Sequence, residues 1–417
     1  MRRVRRPLAA LLLSALAVTA CGAEEPAAEG SRTLTVQAAG GEGELSALRE
    51  LIAAFEDVNP DVDVDFVGVP SQGDHIAKLS TAFAGGNPPD VFLLNYRRLG
   101  PFVERDVLAP VQLGDLSRED FYAPPLEAFT YDGELACLPQ NVSSSVAYLN
   151  LDLLEQAGLA LPPDDWTWDD LEQMSRTLSD KGIAAFGLEP MVRNVAPFIW
   201  TAGGEVVDDT AAPTAMTFDS PEARKALAFL HGLQAYGVDA RSRAATPVVG
   251  QFEAGELAVF VDSRRSVPAF RKADGLRFDV RPLPREDPAR PSASLLASDA
   301  YCVSKASDSP ALAAEFALFA AGPEGGQVLA RSGRTVPALK ALADSPAFLD
   351  PEQPPASSQV WLDIVDDLRR LPNVAAQDEA EEAADDLLAQ YFADKAALDT
   401  TVAEIRRATA AVYGQDR

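Results

Sequence analysis

The sequence predicts an α/β fold that opens on a parallel sheet, in a chain long enough for two domains. Two observations carry that expectation. Between residues 34 and 94 the apolar pattern switches from strand to helix and back, strand first and strand last. The last of these strands, 91–94, is a continuous apolar run, the mark of a strand covered on both faces. Strand, helix, strand, helix, strand in this order implies parallel pairing through right-handed crossovers.

Each element has its own signal. Leu34-Thr35-Val36 alternates as a strand. Leu45, Leu48, Leu51, Ile52 and Phe55 then repeat at helical spacing until Asn59-Pro60 stops the helix. Val62, Val64 and Phe66 alternate with Asp61, Asp63 and Asp65 as a second strand. Ile76, Leu79 and Phe83 mark a second helix, ended by Gly85-Gly86-Asn87-Pro88-Pro89. Ligands of such sheets gather beyond the carboxyl ends of the strands, which puts Gly40-Gly41-Glu42 and Asn95-Tyr96 on the ligand side. The two glycines suit either a close backbone approach to a ligand or a tight turn.

Farther along, Thr167 with Asp170 forms a capping pair for a helix carrying Leu171, Met174 and Leu178. Ser220-Pro221 opens another through Leu227, Leu230 and Leu233. Residues 259–261 form a short buried strand ended by Asp262, and 300–303 form another, followed by a helix start at Ser309-Pro310. Residues 282–294 read as a surface loop. From 357 to 413 the pattern reads as helical, with Trp361, Ile364, Val365 and Leu368 on one face and the acids of 378–386 on a solvated face.

The N-terminus reads differently. Arg2, Arg3, Arg5 and Arg6 precede an apolar stretch, 8–18, too short to span a bilayer, so residues 1–20 are expected to be a signal peptide. Thr19-Ala20 before Cys21 resembles the bacterial lipobox, which makes Cys21 the expected lipidation site and 21–31 a flexible tether. The expected location is extracytoplasmic, anchored to the cell membrane by lipid. Removing the four leader arginines takes the net charge from −27 to −31, a surface that repels nucleic acid and anionic headgroups. Beyond Cys21 there are two cysteines, Cys137 and Cys302. Bonded, they close a loop worth roughly 5 kcal/mol of chain entropy; unbonded, they serve as small apolar residues.

Several segments together resemble a known family. They are Leu34-Thr35-Val36 with the helix ending Asn59-Pro60, Gly85-Gly86-Asn87-Pro88-Pro89-Asp90-Val91, Leu138-Pro139 with Ser143-Ser144-Ser145 and Tyr148-Leu149-Asn150, and Trp200-Thr201-Ala202-Gly203-Gly204-Glu205. Phe252-Glu253-Ala254-Gly255, Ser309-Pro310 and Gly333-Arg334-Thr335-Val336-Pro337 complete the set. In that order they are similar to the carbohydrate-binding, maltose-type solute-binding lipoproteins of ABC importers. Gln140-Asn141 departs from the Asp or Tyr that often follows Leu-Pro in that family. The resemblance implies a two-lobed, periplasmic-binding-protein-like α/β fold with a ligand cleft between hinged lobes. It places 32–140 and 299–334 in lobe 1 and 141–298 and 335–417 in lobe 2, with crossings at 139–141, 298–299 and 334–336. Cys137 and Cys302 fall beside two crossings that run together in relatives, so the resemblance makes a disulfide between them possible and leaves the pairing open. It also implies partnership with permease subunits, a monomer, no cofactor and no catalysis.

A sugar needs amides and carboxylates for paired hydrogen bonds and an aromatic ring for its C–H face. The ligand-binding candidates are Glu42, Asn95, Asn141, Ser144, Trp200, Glu205, Asp262, Asp299, Tyr301 and Arg334. Trp200 fits a core position equally well, and Trp166 and Trp168 fit either a cleft edge or a hydrophobic staple at a helix start. His75 and His231 lack partners at metal-ligand spacing, so no metal is expected, and His75 reads as a surface residue. The sequence has no nucleophile elbow, His-Glu-x-x-His, phosphate loop or dinucleotide fingerprint. Two alternatives remain. A receptor for a polyol, glycerol phosphodiester or peptide would use Arg334 with Arg193, Arg264 and Arg265, and a glycosidase would pair Asp262 with Asp299 or Glu205.

Overall fold

The computed structural model describes residues 32–237 and 246–415. The leader, Cys21 and the tether lie outside the described residues. The opening strands and helices are β1 (Arg32–Ala39), α1 (Glu42–Val58), β2 (Val62–Val69), α2 (Gln72–Ala84) and β3 (Val91–Asn95). β1 pairs in parallel with β2 and with β3, and Ser71 caps α2 by accepting a bond from the Asp74 N–H. The sheet gains β4 (Leu138–Pro139) and β10 (Asp299–Val303), in the order β2-β1-β3-β10-β4. β10 runs antiparallel to both neighbours, so the sheet is mixed rather than wholly parallel.

A second sheet is built on β5 (Ser143–Asn150), buried along its whole length. Its other strands are β6 (Phe186–Gly187), β7 (Val259–Ser263), β8 (Phe278–Arg281), β9 (Ser294–Ala297) and β11 (Leu368–Arg369). Their order is β11-β9-β5-β7-β6, with β8 also on β5. Its helices include α3 (Trp168–Ser179), with the Thr167–Asp170 capping box, α4 (Val192–Thr201) and α5 (Pro221–Leu233). On the first sheet packs α6 (Pro310–Ala321), where Phe55 meets Phe316 edge-on at 5.1 Å, and α7 (Pro323–Arg331) packs on α1 and α6.

The molecule is thus two-lobed. The chain passes from β4 to β5 through 140–142 and returns from β9 to β10 through Ser298. A third segment runs beside them, with the Val142 N–H bonded to the Val336 carbonyl and the Ala338 N–H to that of Gln140. This crossing extends past Val336. Leu339 still bridges Phe121 of the first lobe, and Phe348 lies under the Arg264 guanidinium at 4.2 Å. A disulfide joins Cys137 to Cys302, whose Cα atoms lie 4.4 Å apart.

Two expectations fail in the fold. The 357–413 segment is not one helical run: a one-turn helix at Val360–Asp363 and a tighter turn at Val365–Asp367 give way to β11 and an extended stretch at Leu371-Pro372 before α8 (Gln377–Phe392) and α9 (Leu398–Gln415). Proline at 372 lacks the N–H a continuing helix needs. His75 is buried, not surface. Its Nε2 lies 2.8 Å from the Leu93 carbonyl and its Nδ1 3.0 Å from the Gln37 amide, and burial lowers its pKa.

Candidate functional site

The three crossings frame a cavity of about 280 Å³ between the lobes. Asn95, at the carboxyl end of β3, stands opposite Asp299 in the β3–β10 register and donates to its Oδ1 at 3.0 Å. Asn141, on the first crossing, donates to the other carboxylate oxygen at 3.4 Å and accepts from the Asp299 N–H at 2.9 Å. Two amides therefore hold one carboxylate at the hinge, and all three side chains line the cavity.

Arg334 reaches the cavity from the third crossing, and its guanidinium meets Glu44 Oε2 at 2.5 Å. Burial pushes the Glu44 carboxyl up to about 7, with Arg334 opposing. That carboxyl folds back over Gly40, where a Cβ would sit 2.1 Å from Glu44 Oε2. Gly40 therefore serves a side chain of its own fold, and Gly41 sits at the N-cap of α1.

The opposite wall comes from lobe 2. Asp262, near the end of β7, accepts from the Ser266 hydroxyl at 2.7 Å and from Arg265 Nε at 3.4 Å. Ser143 and Ser145 of β5 face the cavity, and Arg193 and Asn194 enter from the first turn of α4. Asp385 of α8 fixes that turn by accepting the Val192 N–H at 2.6 Å, and burial pushes its carboxyl up to about 6. The rim is bridged by ion pairs. Arg97 and Arg98, in the turn after β3, meet Glu381 and Asp378 of α8, each at 2.6 Å. The Tyr96 hydroxyl, from the same turn, accepts the Leu371 N–H at 3.2 Å. The acids of 378–386 are therefore not simply a solvated face.

Asn95, Asn141, Asp262, Asp299 and Arg334 come together in the cavity, and the other five candidates do not line it. Glu42 is an exposed partner of Arg49 at 3.1 Å; the acid behind the cleft is Glu44, two residues on. Ser144 points away from the cavity because side chains alternate along a strand, so its neighbours 143 and 145 take its place. Trp200 is buried in the second lobe under the Arg369 guanidinium at 5.0 Å, and Glu205 pairs with the same arginine at 2.5 Å. Tyr301 is fully buried, its hydroxyl accepting from Gln140 at 2.8 Å and pushed well up in pKa by burial.

Trp166 and Trp168 are core residues, the first donating to the Pro282 carbonyl at 2.8 Å and the second stacked on Phe229 at 4.4 Å. Arg264 lies behind the cleft between Phe348 and Trp361, where burial lowers its pKa to about 9. Sequence reasoning had not placed Arg97, Arg98 or Asn194 at the site. Only the position of the two arginines directly after Asn95-Tyr96 pointed there. A larger cavity of about 590 Å³ in lobe 2, between Phe186 and Phe392, is mostly apolar and gathers none of the candidates.

Residues 39–327 match the family model of the bacterial extracellular solute-binding protein. The chain belongs to that family. Among curated proteins it is similar to the galactooligosaccharide-binding protein of Bacillus subtilis, 23% identical over 349 residues covering 81% of each chain. Among solved structures it resembles the ABC substrate-binding protein Lmo0181 of Listeria monocytogenes in complex with cycloalternan. That match has a TM-score of 0.82 at 22% identity and covers 92% of this chain and 99% of the other. The GacH receptor of Streptomyces glaucescens matches with a TM-score of 0.80 at 20% identity, covering 93% and 99%. At these identities the structural matches establish the two-lobed fold, and the family places the chain among extracytoplasmic binding proteins.

Proposed function

We propose that this solute-binding protein captures a carbohydrate between its lobes and delivers it to the permease of an ABC importer. The observation that carries the reading is the set Asn95, Asn141, Asn194, Asp262 and Asp299, which presents amides and carboxylates from both lobes to one cavity. Amides donate and accept side by side and carboxylates accept twice, which is what vicinal hydroxyls require. The cavity, about 280 Å³, lies just below the usual span of ligand sites, roughly 300–1,000 Å³. The galactooligosaccharide and cycloalternan named for two similar proteins support the class.

Binding without turnover fits the same geometry. Glu205 is held by Arg369 outside the cavity, which removes one of the two carboxylate pairs a glycosidase would use. Cys21, as the lipid attachment site, tethers the receptor at the membrane. Replacing it by Ala releases the protein without altering ligand affinity, and absence of labelled fatty acid on wild-type Cys21 contradicts the anchor.

A thermal-shift screen over mono- and oligosaccharides tests the ligand class. A cognate sugar at about a hundred times its dissociation constant stabilises the fold by roughly 2.7 kcal/mol and raises the melting temperature. If peptides or amino acids shift the curve and no saccharide does, the class is wrong.

A further inference from the structure

The cleft reverses the sign of the chain that builds it. Aspartate and glutamate outnumber lysine and arginine by 63 to 36 over the sequence. The cavity, however, is lined by five arginines and only two carboxylates, Asp262 and Asp299. Four of the arginines are engaged: Arg97 with Glu381, Arg98 with Asp378, Arg334 with Glu44, and Arg265 with Asp262 at 3.4 Å. The fifth, Arg193, lines the cavity with no ion pair or hydrogen bond among the described residues.

Neither cleft carboxylate is free to serve Arg193. Asp262 is held by Ser266 and Arg265, and Asp299 by Asn95 and Asn141. The surroundings are net repulsive to its charge. Burial lowers its pKa, and Arg265 and Arg97 push the same way more strongly than Asp262 and Asp385 oppose them. A guanidinium presents its N–H donors in a planar fork that fits an oxyanion two bonds at a time. A half-buried guanidinium with no partner carries a desolvation cost that an anionic group in the cavity removes. No aromatic side chain lines the cavity among the described residues, so the usual cover for the apolar face of a neutral sugar ring is missing.

We infer that the ligand carries an oxyanion (carboxylate, phosphate or sulfate) that pairs with Arg193 beside Arg97 and Arg265. This rests on the saccharide reading of the cleft and narrows it to acidic saccharides.

The test is calorimetric titration of the folded protein with matched pairs: uronic acids, sugar phosphates and sulfated sugars, each against its neutral parent. Inorganic phosphate and sn-glycerol 3-phosphate serve as anions without a sugar ring. One acidic saccharide binds tighter than its parent, and its affinity falls from low to high salt. In Arg193→Gln the preference for the acidic member collapses by about 10- to 100-fold. If the variant folds poorly, the salt dependence of the wild type still reports whether the ligand pairs with a charge in the cavity. Neutral parents binding as tightly as their acidic partners overturn the inference and leave the saccharide reading standing. Binding of sn-glycerol 3-phosphate alone supports the oxyanion and overturns the saccharide. If no anion binds, the inference fails.

Discussion

Replacing Glu381 by Gln tests whether the ion pairs across the rim hold the lobes together. Glu381 sits on α8 of lobe 2 and meets Arg97 of lobe 1 at 2.6 Å, with side-chain exposures of 11% and 19%. A charge-assisted bond this shielded is worth about 1.5–3 kcal/mol. Some of that is retained, because Arg97 Nε keeps Asn95 Oδ1 at 3.4 Å and Gln377 still faces position 381. Taking about 2 kcal/mol, and a bond made only in the closed state, the closed-to-open ratio falls roughly 30-fold. Ligand affinity then falls by up to the same factor, because ligand contacting both lobes selects the closed form. Glu381 does not line the cavity, so lost ligand contact cannot mimic the effect. Titration calorimetry reads the affinity, and small-angle scattering without ligand reads the opening. Wild-type affinity together with unchanged scattering would refute the role of this pair in closure.

Other outcomes follow from the same geometry. Asp262→Ala and Asp299→Ala are each expected to weaken ligand binding by about 1.5–3 kcal/mol with the fold intact, and calorimetry with wild-type values removes them from the site. Glu44 is raised from 4.5 to about 7, so from pH 4.5 to 7 the folded chain keeps a proton that the unfolded chain releases. Its stability contribution is full below pH 4.5 and is lost as pH rises through about 7, about 3 kcal/mol in all. Melts of the unliganded protein should therefore fall in temperature over that window, and less steeply in Glu44→Gln; an unchanged slope contradicts the assignment. Reducing the Cys137–Cys302 disulfide removes roughly 5 kcal/mol of chain-entropy stabilisation, so melting with reductant should drop by several degrees.

The first sheet was legible because its signals are local. Apolar residues at 45, 48, 51, 52 and 55 define one helix face, and Asn59-Pro60 ends it. The same stripe also carried a signal that was passed over: residue 44 lies one turn before Leu48, so Glu44, not Glu42, falls on the buried face. Strand parity likewise separates Ser143 and Ser145 from Ser144, but only once the facing of β5 is known. Asn95, Asn141, Asp262 and Asp299 line the cavity because polar residues at strand ends and crossings gather there. Trp200, Trp166 and Trp168 were ambiguous because a buried ring looks the same in sequence wherever it packs. The partners of Arg97 and Arg98 lie 284 and 280 residues away, so only the folded chain brings them together.

The central claim is that the cavity framed by Asn95, Asn141, Asp262 and Asp299 holds a saccharide. Mass spectrometry of small molecules released from natively purified protein tests it most directly, with Asp299→Ala purified in parallel. A saccharide recovered with the wild type and depleted with the variant is the predicted result. A peptide or amino acid in its place, or the same saccharide retained equally by the variant, would contradict it.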